Sequence, residues 1–320
     1  MVVNTVERFD GQFVMHNNIA TVIVTFNRKN LLHKALHAHS TQKLRAASLL
    51  IVNNGSNDGT LEMLVDEGWL DRPGVEMLDM SQNTGGAGGF AAGLQHALES
   101  GAEWVWMMDD DAEPHPEALG KLMEVATDPS KIYGSLAVHG AETSWLTTVL
   151  DPPIGEVDKA EDVPRQATVQ SLPFLGFLVH REMVERIGLP DAGYFIAADD
   201  VEYCVRAQRA GADIVIAGHS RIEHPKSRPY KVRILGRTLT CLALPPWKRY
   251  YDTRNRLLIA RKHFGRRFFT QTIPGSFVRL FAALLTEPNK VAQSHAFFAG
   301  FFDGVLGLKG KRHDKWGIKF

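Results

Sequence analysis

Little in this 320-residue chain suggests a staple, an anchor or a leader. Cysteine occurs only twice, at Cys204 and Cys241, in a spacing that fits no metal or redox motif. Free thiols in a reducing compartment are therefore expected, not a disulfide framework. The N-terminal MVVNTVERFDGQF lacks the apolar core of a secretory signal. The longest uncharged stretches, near 268–278 and 291–302, fall short of the roughly 18–20 residues a membrane span needs, so none is expected. Internal repeats and long low-complexity tracts are missing. Net charge is missing too, since 36 Lys and Arg balance 36 Asp and Glu.

That balance conceals an asymmetry. From Arg221 to Phe320 there are 21 Lys and Arg against 5 Asp and Glu, which leaves 15 against 31 in the first 220 residues. The expectation is an acidic half that carries chemistry and a basic tail that meets something anionic. Nucleic acid, a phospholipid surface or a diphosphate-linked lipid would each satisfy it. A 44% hydrophobic content and this length suffice for a core without staples, in one large α/β domain with an appendage or in two modest domains.

The first half alternates strand and helix patterns. A β-branched run (19–26, IATVIVTF) precedes a helical pattern over 31–42, and a strand at 49–53 leads through a turn to a short helix ending near Val65. The strand 75–80, a Gly-rich turn, the helix 88–100 and the strand 104–108 follow. This order predicts a mostly parallel sheet flanked by helices, with ligands gathered at the C-terminal strand ends. Over 143–168 the pattern breaks into Pro-, Asp- and Glu-rich sequence, read as a loop or hairpin insertion. An apolar stretch (172–179), a helix (181–187), a helical segment within 194–211 and a strand (213–217) close the acidic half. From Pro245 onward the chain reads as helical, basic and aromatic.

Three stretches carry chemistry. Asp109, Asp110 and Asp111 follow the hydrophobic WVWMM, and adjacent carboxylates ionise together only beside a compensating cation, for which Mg²⁺ or Mn²⁺ is the natural partner. The triplet reads equally as a solvated acidic turn or a helix start. NTGGAGGF (83–90) lies between a strand and a helix, and its Gly86, Gly88 and Ala91 formally fit a dinucleotide fingerprint. That fingerprint usually opens the first βα unit, whereas this one follows the third strand; close approach to a phosphate or sugar, and tight helix–sheet packing, are the other readings. Asp199 and Asp200 open a helix, where a carboxylate serves as a general base or merely offsets the helix dipole. His224 follows a strand, and a lone histidine is most often structural.

In order, VTFNR (24–28), NNGSNDGT (53–60), NTGGAGGF (83–90), MDDDAEP (108–114), FIAADDVEYCVRAQRAG (195–211) and IEHP (222–225) resemble the family 2 glycosyltransferases. The resemblance covers roughly residues 19–226 and is nearest to bacterial galactofuranosyltransferases, with rhamnosyltransferases sharing much of the pattern. It implies the GT-A nucleotide-diphospho-sugar transferase fold for 19–226, after an N-terminal extension (1–18) and before a helical, basic C-terminal region (227–320) for acceptor, membrane or oligomer contacts.

The resemblance also distributes roles. Asp109, Asp111 and His224 match metal ligands for Mn²⁺ or Mg²⁺, and Asp110 falls near the donor sugar or ribose. Thr25, Asn27, Asn53, Asn83 and Gly86 fall on the nucleotide and donor side. Asn53 stands where the family commonly has a base-reading Asp. Asp200 matches the catalytic base, and Asp199 with Gly176 the acceptor side. The implied reaction is an inverting transfer from UDP-galactofuranose, or alternatively dTDP-rhamnose, to a glycan or polyprenyl-diphosphate-linked acceptor in cell-wall or surface-polysaccharide synthesis. The expected setting is cytoplasmic, peripheral on an anionic membrane, with homo-oligomers allowed and no nucleic-acid partner. A dinucleotide-dependent oxidoreductase would leave the Asp triplet and His224 without a task. A nucleotidyltransferase normally shows a Gly-rich basic loop after its first strand, where this chain has TFNRKN. A basic binding module would explain the tail but not the acidic half.

Overall fold

The computed structural model describes residues 14–227, 229–234 and 236–319. Most of the expected N-terminal extension therefore lies outside the described residues, and from Val14 the chain is already in its first strand. The alternation expected of the first half is present: β1 (Val14–Thr25), α1 (Lys29–Ser40), β2 (Leu44–Asn53), α2 (Thr60–Asp66), β3 (Val75–Asp79), α3 (Gly85–Glu99) and β4 (Trp104–Asp109). There follow β5 (Glu113–Pro114), α4 (Ala118–Met123), β6 (Ile132–His139), β7 (Glu142–Val149), β8 (Gly155–Lys159), β9 (Ala167–Thr168), β10 (Phe177–His180), α5 (Arg181–Ile187), α6 (Asp199–Arg209) and β11 (Ile214–Glu223).

One large sheet carries the order β3-β2-β1-β4-β10-β6-β11-β5. β1, β2, β3 and β4 run parallel, whereas β10 is inserted antiparallel between β4 and β6. The segment 143–168 resolves as the antiparallel hairpin β7–β8, hung on β6. Alternation along the central strands divides two apolar layers. Val22, Val24, Val52, Val105 and Met107 face α3, α5 and α6, while Ile23, Ile51, Trp106 and Met108 face α1, α2 and α4. Register brings the strand ends level, with Val24 opposite Asp109, Thr25 opposite Asn53 and Asn53 opposite Asp79. The polar residues that end these strands therefore share one rim of the sheet, as open α/β sheets arrange their ligand sites.

Helix α3 begins at Gly85, not at the expected 88. Asn83 Oδ1 accepts the Gly85 N–H at 2.7 Å and Asn54 Nδ2 donates to the Gly85 carbonyl at 2.9 Å, which fixes the first turn early. Most of its glycines answer to packing. A Cβ would sit 2.5 Å from Val24 Cγ1 at Gly89 and 2.5 Å from Val22 Cγ1 at Gly93, so the helix lies on β1 at backbone distance. Gly85, at φ +76°, would place a Cβ 1.9 Å from the Phe195 carbonyl oxygen. Gly86 alone among these meets nothing within 4 Å.

The C-terminal region forms the hairpin β12 (Pro229–Ile234) and β13 (Arg237–Leu242), then α7 (Pro246–His263), α8 (Ile273–Thr286) and α9 (Lys290–Leu306). It is not set apart from the sheet domain by any gap in packing. Phe195 clusters with Tyr250, Tyr251, Ala296 and Ala299, and Ala87 and Tyr194 cluster with Leu258 and Ile259. Glu202 of α6 is fully buried, bonded by Arg206 at 2.9 Å and by Lys262 and His263 of α7 at 2.8 and 3.0 Å. Burial works against its charge, yet these partners hold the Glu202 carboxyl below its ordinary value. A π-helical turn runs into α8, giving one 19-residue helix (Phe268–Thr286) whose most apolar window has a mean hydropathy of 1.3. Among the described residues it is the one helix long and apolar enough to cross a bilayer; counting uncharged runs overlooked it because Arg279 interrupts them. Cys204 and Cys241 are free, Cys204 within the core.

Helices α7 and α9 cross through small residues. A Cβ on Gly300 would stand 2.3 Å from the Tyr250 carbonyl oxygen, and one on Gly304 2.8 Å from Leu257 Cβ. Gly300→Val should therefore force the helices apart at a cost of about 1–3 kcal/mol. A thermal scan should show a midpoint lowered by several degrees, and an unchanged midpoint would contradict this packing.

Candidate active site

At the end of β4 three carboxylates meet one guanidinium. Asp110 is 3% exposed. Thr25 Oγ1 donates to its Oδ2 at 2.8 Å, and Arg28 Nη1 donates to its Oδ1 at 3.3 Å and to Asp111 Oδ2 at 3.0 Å. Burial pushes Asp110 up to about 6, against the pull of Arg28 and the Thr25 bond. Asp109 is pushed well above the carboxylate range, first by burial and then by Asp111, Asp110 and Asp199, with Arg28 opposing. The cluster is short of positive charge.

His224 Nε2 faces Asp111 Oδ1 at 3.8 Å, while its Nδ1 is buried without a hydrogen-bond partner. Among the described residues no three His, Cys, Asp or Glu side chains close into a ready metal cage. Arg28 stands between Asp110 and Asp111, where added positive charge would be most stabilised. Carboxylate oxygens with one imidazole suit a hard divalent cation, and a buried ring nitrogen lacking a partner is an anomaly such an ion's coordination sphere would relieve. On this test the donor set fits.

A cavity of about 550 Å³ opens over this cluster. Thr25, Asn27, Asn83, Gly86, Asp109, Asp110, Asp111, Asp199, Asp200 and His224 all line it. Asn53 and Gly176 are not among its walls. Asn53 is 3% exposed; its Nδ2 donates to Asp79 at 2.8 Å and its Oδ1 accepts from the Ser56 amide at 3.2 Å. The neighbouring Asn54 faces the cavity instead, with its Oδ1 accepting from the Thr84 amide at 3.0 Å. Gly176, at φ +76°, lies within the sheet between the Met107 carbonyl and the Ser135 amide, where a Cβ would meet Ile222 at 2.5 Å. Asn27 is also left-handed, at φ 52°, and its Oδ1 takes the Asn57 amide at 2.7 Å, which ties the ends of β1 and β2 together.

Opposite the triplet, Asp199 and Asp200 open α6. Burial raises both above the carboxylate range, with their mutual repulsion adding to the rise of Asp199; the Val201 amide, donating to Asp200 Oδ1 at 2.7 Å, favours the ionised form of Asp200. The loop that delivers them carries left-handed non-glycine residues at Phe195, Ala197 and Ala198, a conformation that surrounding structure must enforce. The enforcement comes from α7. Asn255 Nδ2 donates to the carbonyls of Tyr194, Ile196 and Ala197 at 3.1, 2.8 and 2.6 Å, and Arg254 Nη2 donates to that of Tyr194 at 2.7 Å. Both side chains are fully buried.

The sequence reading passed over several residues of the cavity. Arg28 lay inside the quoted VTFNR without a role, and Phe174, Trp247 and Lys248 also line the wall. Lys248 comes from the first turn of α7; burial and nearby Arg28 push its amine down, against Asp111 and Asp109. Only the basic, aromatic composition of 247–264 hinted at it.

The sequence profile of glycosyl transferase family 2 matches residues 21–188. A galactofuranosyltransferase, GlfT1, of Mycobacterium tuberculosis is 31% identical over 76% of this chain and 82% of its own length. The dTDP-rhamnosyl transferase RfbF of Shigella flexneri is 25% identical over 92% of this chain and 98% of its own. In structure, the chain resembles GalNAc-T7, crystallised with UDP, GalNAc and Mn²⁺, at a TM-score of 0.61 and 15% identity, over 87% of this chain and 55% of that one. At that identity the likeness speaks for the fold alone, which is GT-A.

Asn255→Ala would remove three bonds to the 194–197 carbonyls. A loss of about 1–3 kcal/mol of stability is expected, with turnover falling more than nucleotide affinity. Asn255→Asp, equal in size but without the donor amide, should behave alike. Wild-type turnover in both variants would contradict the anchoring role.

Proposed function

The chain belongs to glycosyl transferase family 2, and from that premise we propose that it moves galactofuranose, with inversion, from UDP-galactofuranose to a glycan or polyprenyl-diphosphate-linked acceptor in cell-wall or surface-polysaccharide synthesis. The observation that carries this reading is the placement of Asp200 and the Asp109–Asp111 triplet on the walls of one cavity. The donor sugar follows the 31% identity to GlfT1. Transfer of rhamnose from dTDP-rhamnose is the second reading, favoured by the near full-length match to RfbF.

Asp109, Asp111 and His224 would hold a divalent cation, Mn²⁺ or Mg²⁺, which when bound offsets the negative charge that develops on the leaving diphosphate. The chain's own residues account for the rest. Thr25 and Arg28 orient Asp110 toward the donor side. Asn54 and Asn83 shape the turn before α3, whose Gly86 leaves open space for close approach. Asp200 takes the proton of the acceptor hydroxyl as that oxygen bonds to the anomeric carbon. The bond from that carbon to the diphosphate oxygen breaks with its electron pair leaving on the diphosphate, and a single displacement inverts configuration.

The setting we propose is the cytoplasmic face of an anionic membrane. Phe277, Phe281 and Leu285 of α8 stand beside Phe298 and Phe302 of α9 as an exposed apolar face, joined by the Phe277–Phe298 ring pair at 6.5 Å. Only 28% of the apolar window of the 268–286 helix is buried. The two carboxylates between 253 and 312, Glu287 and Asp303, are both turned inward, to Arg249 and to Arg312. The exposed charged side chains of the same stretch are cationic, among them Arg261, Arg266, Arg267 and Lys290. Aromatic and cationic groups without exposed anions match an acidic headgroup layer.

Asp200→Asn should fold normally, bind the donor and lose roughly 10²–10⁴-fold in transfer. Because burial raises the Asp200 carboxyl, the acid limb of the wild-type kcat/KM profile should lie above the range of a free carboxylate, activity rising as the proton leaves. Near-wild-type turnover in the variant would remove Asp200 as the base. Nucleoside diphosphate release from UDP-galactofuranose and dTDP-rhamnose, with and without Mn²⁺, tests donor and metal. For the membrane, sedimentation with phosphatidylglycerol vesicles should weaken with salt and with Phe281→Asp; indifference to lipid charge, salt and that substitution would exclude this face.

A further inference from the structure

A second cavity, of about 320 Å³, opens beside the first. Its walls come from β7 (Trp145 to Thr148), from the segment 169–173 and from the edge of β6, with Ile216 of β11 beneath. Pro173 and Asp200 belong to the walls of both cavities. The carboxylate assigned as base thus stands at the seam of two chambers.

The chambers differ in charge. The larger holds the Asp triplet, Asp199, Arg28, His224 and Lys248. Apart from Asp200, no ionisable side chain lines the smaller one among the described residues. A phosphate or diphosphate seated there would set negative charge against a carboxylate with no cation to meet it, a costly arrangement in a partly desolvated site. An uncharged, hydroxyl-rich ligand meets no such penalty. Trp145 supplies an indole, and Gln170, Ser171 and Thr148 supply amide and hydroxyl groups. The Trp145 ring also lies edge-on to His224, with centroids 5.5 Å apart, so it forms part of the partition between the chambers.

We infer that the smaller cavity binds the acceptor as a neutral saccharide, presenting one hydroxyl to Asp200, and that any lipid diphosphate attached to it lies outside this chamber. The inference rests on the reading of Asp200 as base, and it deepens that reading: for either acceptor named above, the saccharide and not the lipid diphosphate occupies the chamber lined by Trp145 and Gln170. In the transfer the acceptor O–H proton passes to Asp200, the acceptor oxygen bonds to the anomeric carbon, and the nucleoside diphosphate departs with the electron pair.

The test uses the full chain with UDP-galactofuranose or dTDP-rhamnose and two acceptors, a neutral alkyl disaccharide and a sugar-free polyprenyl phosphate. Transfer is expected to the disaccharide only. Trp145→Ala and Gln170→Ala should each raise the disaccharide KM about tenfold, a loss of about 1.4 kcal/mol, while the donor KM stays within twofold. Gln170 keeps the comparison clean because, unlike Trp145, it has no ring contact with His224. Unchanged acceptor KM in both variants, or transfer to the sugar-free polyprenyl phosphate, would overturn the inference and leave glycosyl transfer standing. Failure to release nucleoside diphosphate from either donor would instead overturn the glycosyl-transfer reading beneath it.

Discussion

Negative charge concentrated at the end of a buried strand is the constraint on which the rest of this site depends. Asp109, Asp110 and Asp111 leave β4 in succession, and among the described residues Arg28 pairs with Asp110 and Asp111, Thr25 donates a hydroxyl to Asp110, and His224 faces Asp111. Carboxylates so placed are costly to ionise, as the raised Asp109 and Asp110 show. The cleft opens directly over them, and the level strand ends of β1, β2 and β4 bring Thr25 and Asn27 to the same rim. Fold and chemistry meet at that rim.

The central architecture was legible because alternation and length are local properties. IATVIVTF and WVWMM announce strands whose two faces are both covered, and the helix 181–187 has the same bounds in sequence and structure. Ten residues singled out from the sequence line one cavity: the Asp triplet by its place at the end of a strand, and most of the others through the order of motifs that carries the family resemblance. Asn53 and Asn54 show the limit. They are chemically identical, and Asn53 is held off the cleft wall by Asp79 of β3 and by the Ser56 amide. Gly176 likewise lies off the cavity wall, within the sheet, where a Cβ would meet Ile222 at 2.5 Å and Ser135 at 2.7 Å.

The glycine-rich turn illustrates how one motif can hold unrelated demands. Gly89 and Gly93 bring α3 onto β1, Gly85 accommodates the Phe195 carbonyl at the cleft wall, and Gly86, also on that wall, alone has open space beside it. A fingerprint read as one unit would assign all of them to a phosphate. The Cβ distances separate them, which the spacing of the letters could not.

The loop 193–198 holds its shape by bonds from Arg254 and Asn255, about sixty residues further along the chain. The instruction for where the carboxylate at 200 stands is thus written in the helical tail and not beside that carboxylate. A boundary drawn at 226, natural on grounds of composition, would cut the chain between Asp200 and the side chains that hold its loop. For truncation, chimeras or domain exchange among relatives, the smallest interchangeable unit is therefore the sheet together with its tail, because a foreign tail brings a foreign geometry for the loop before Asp200.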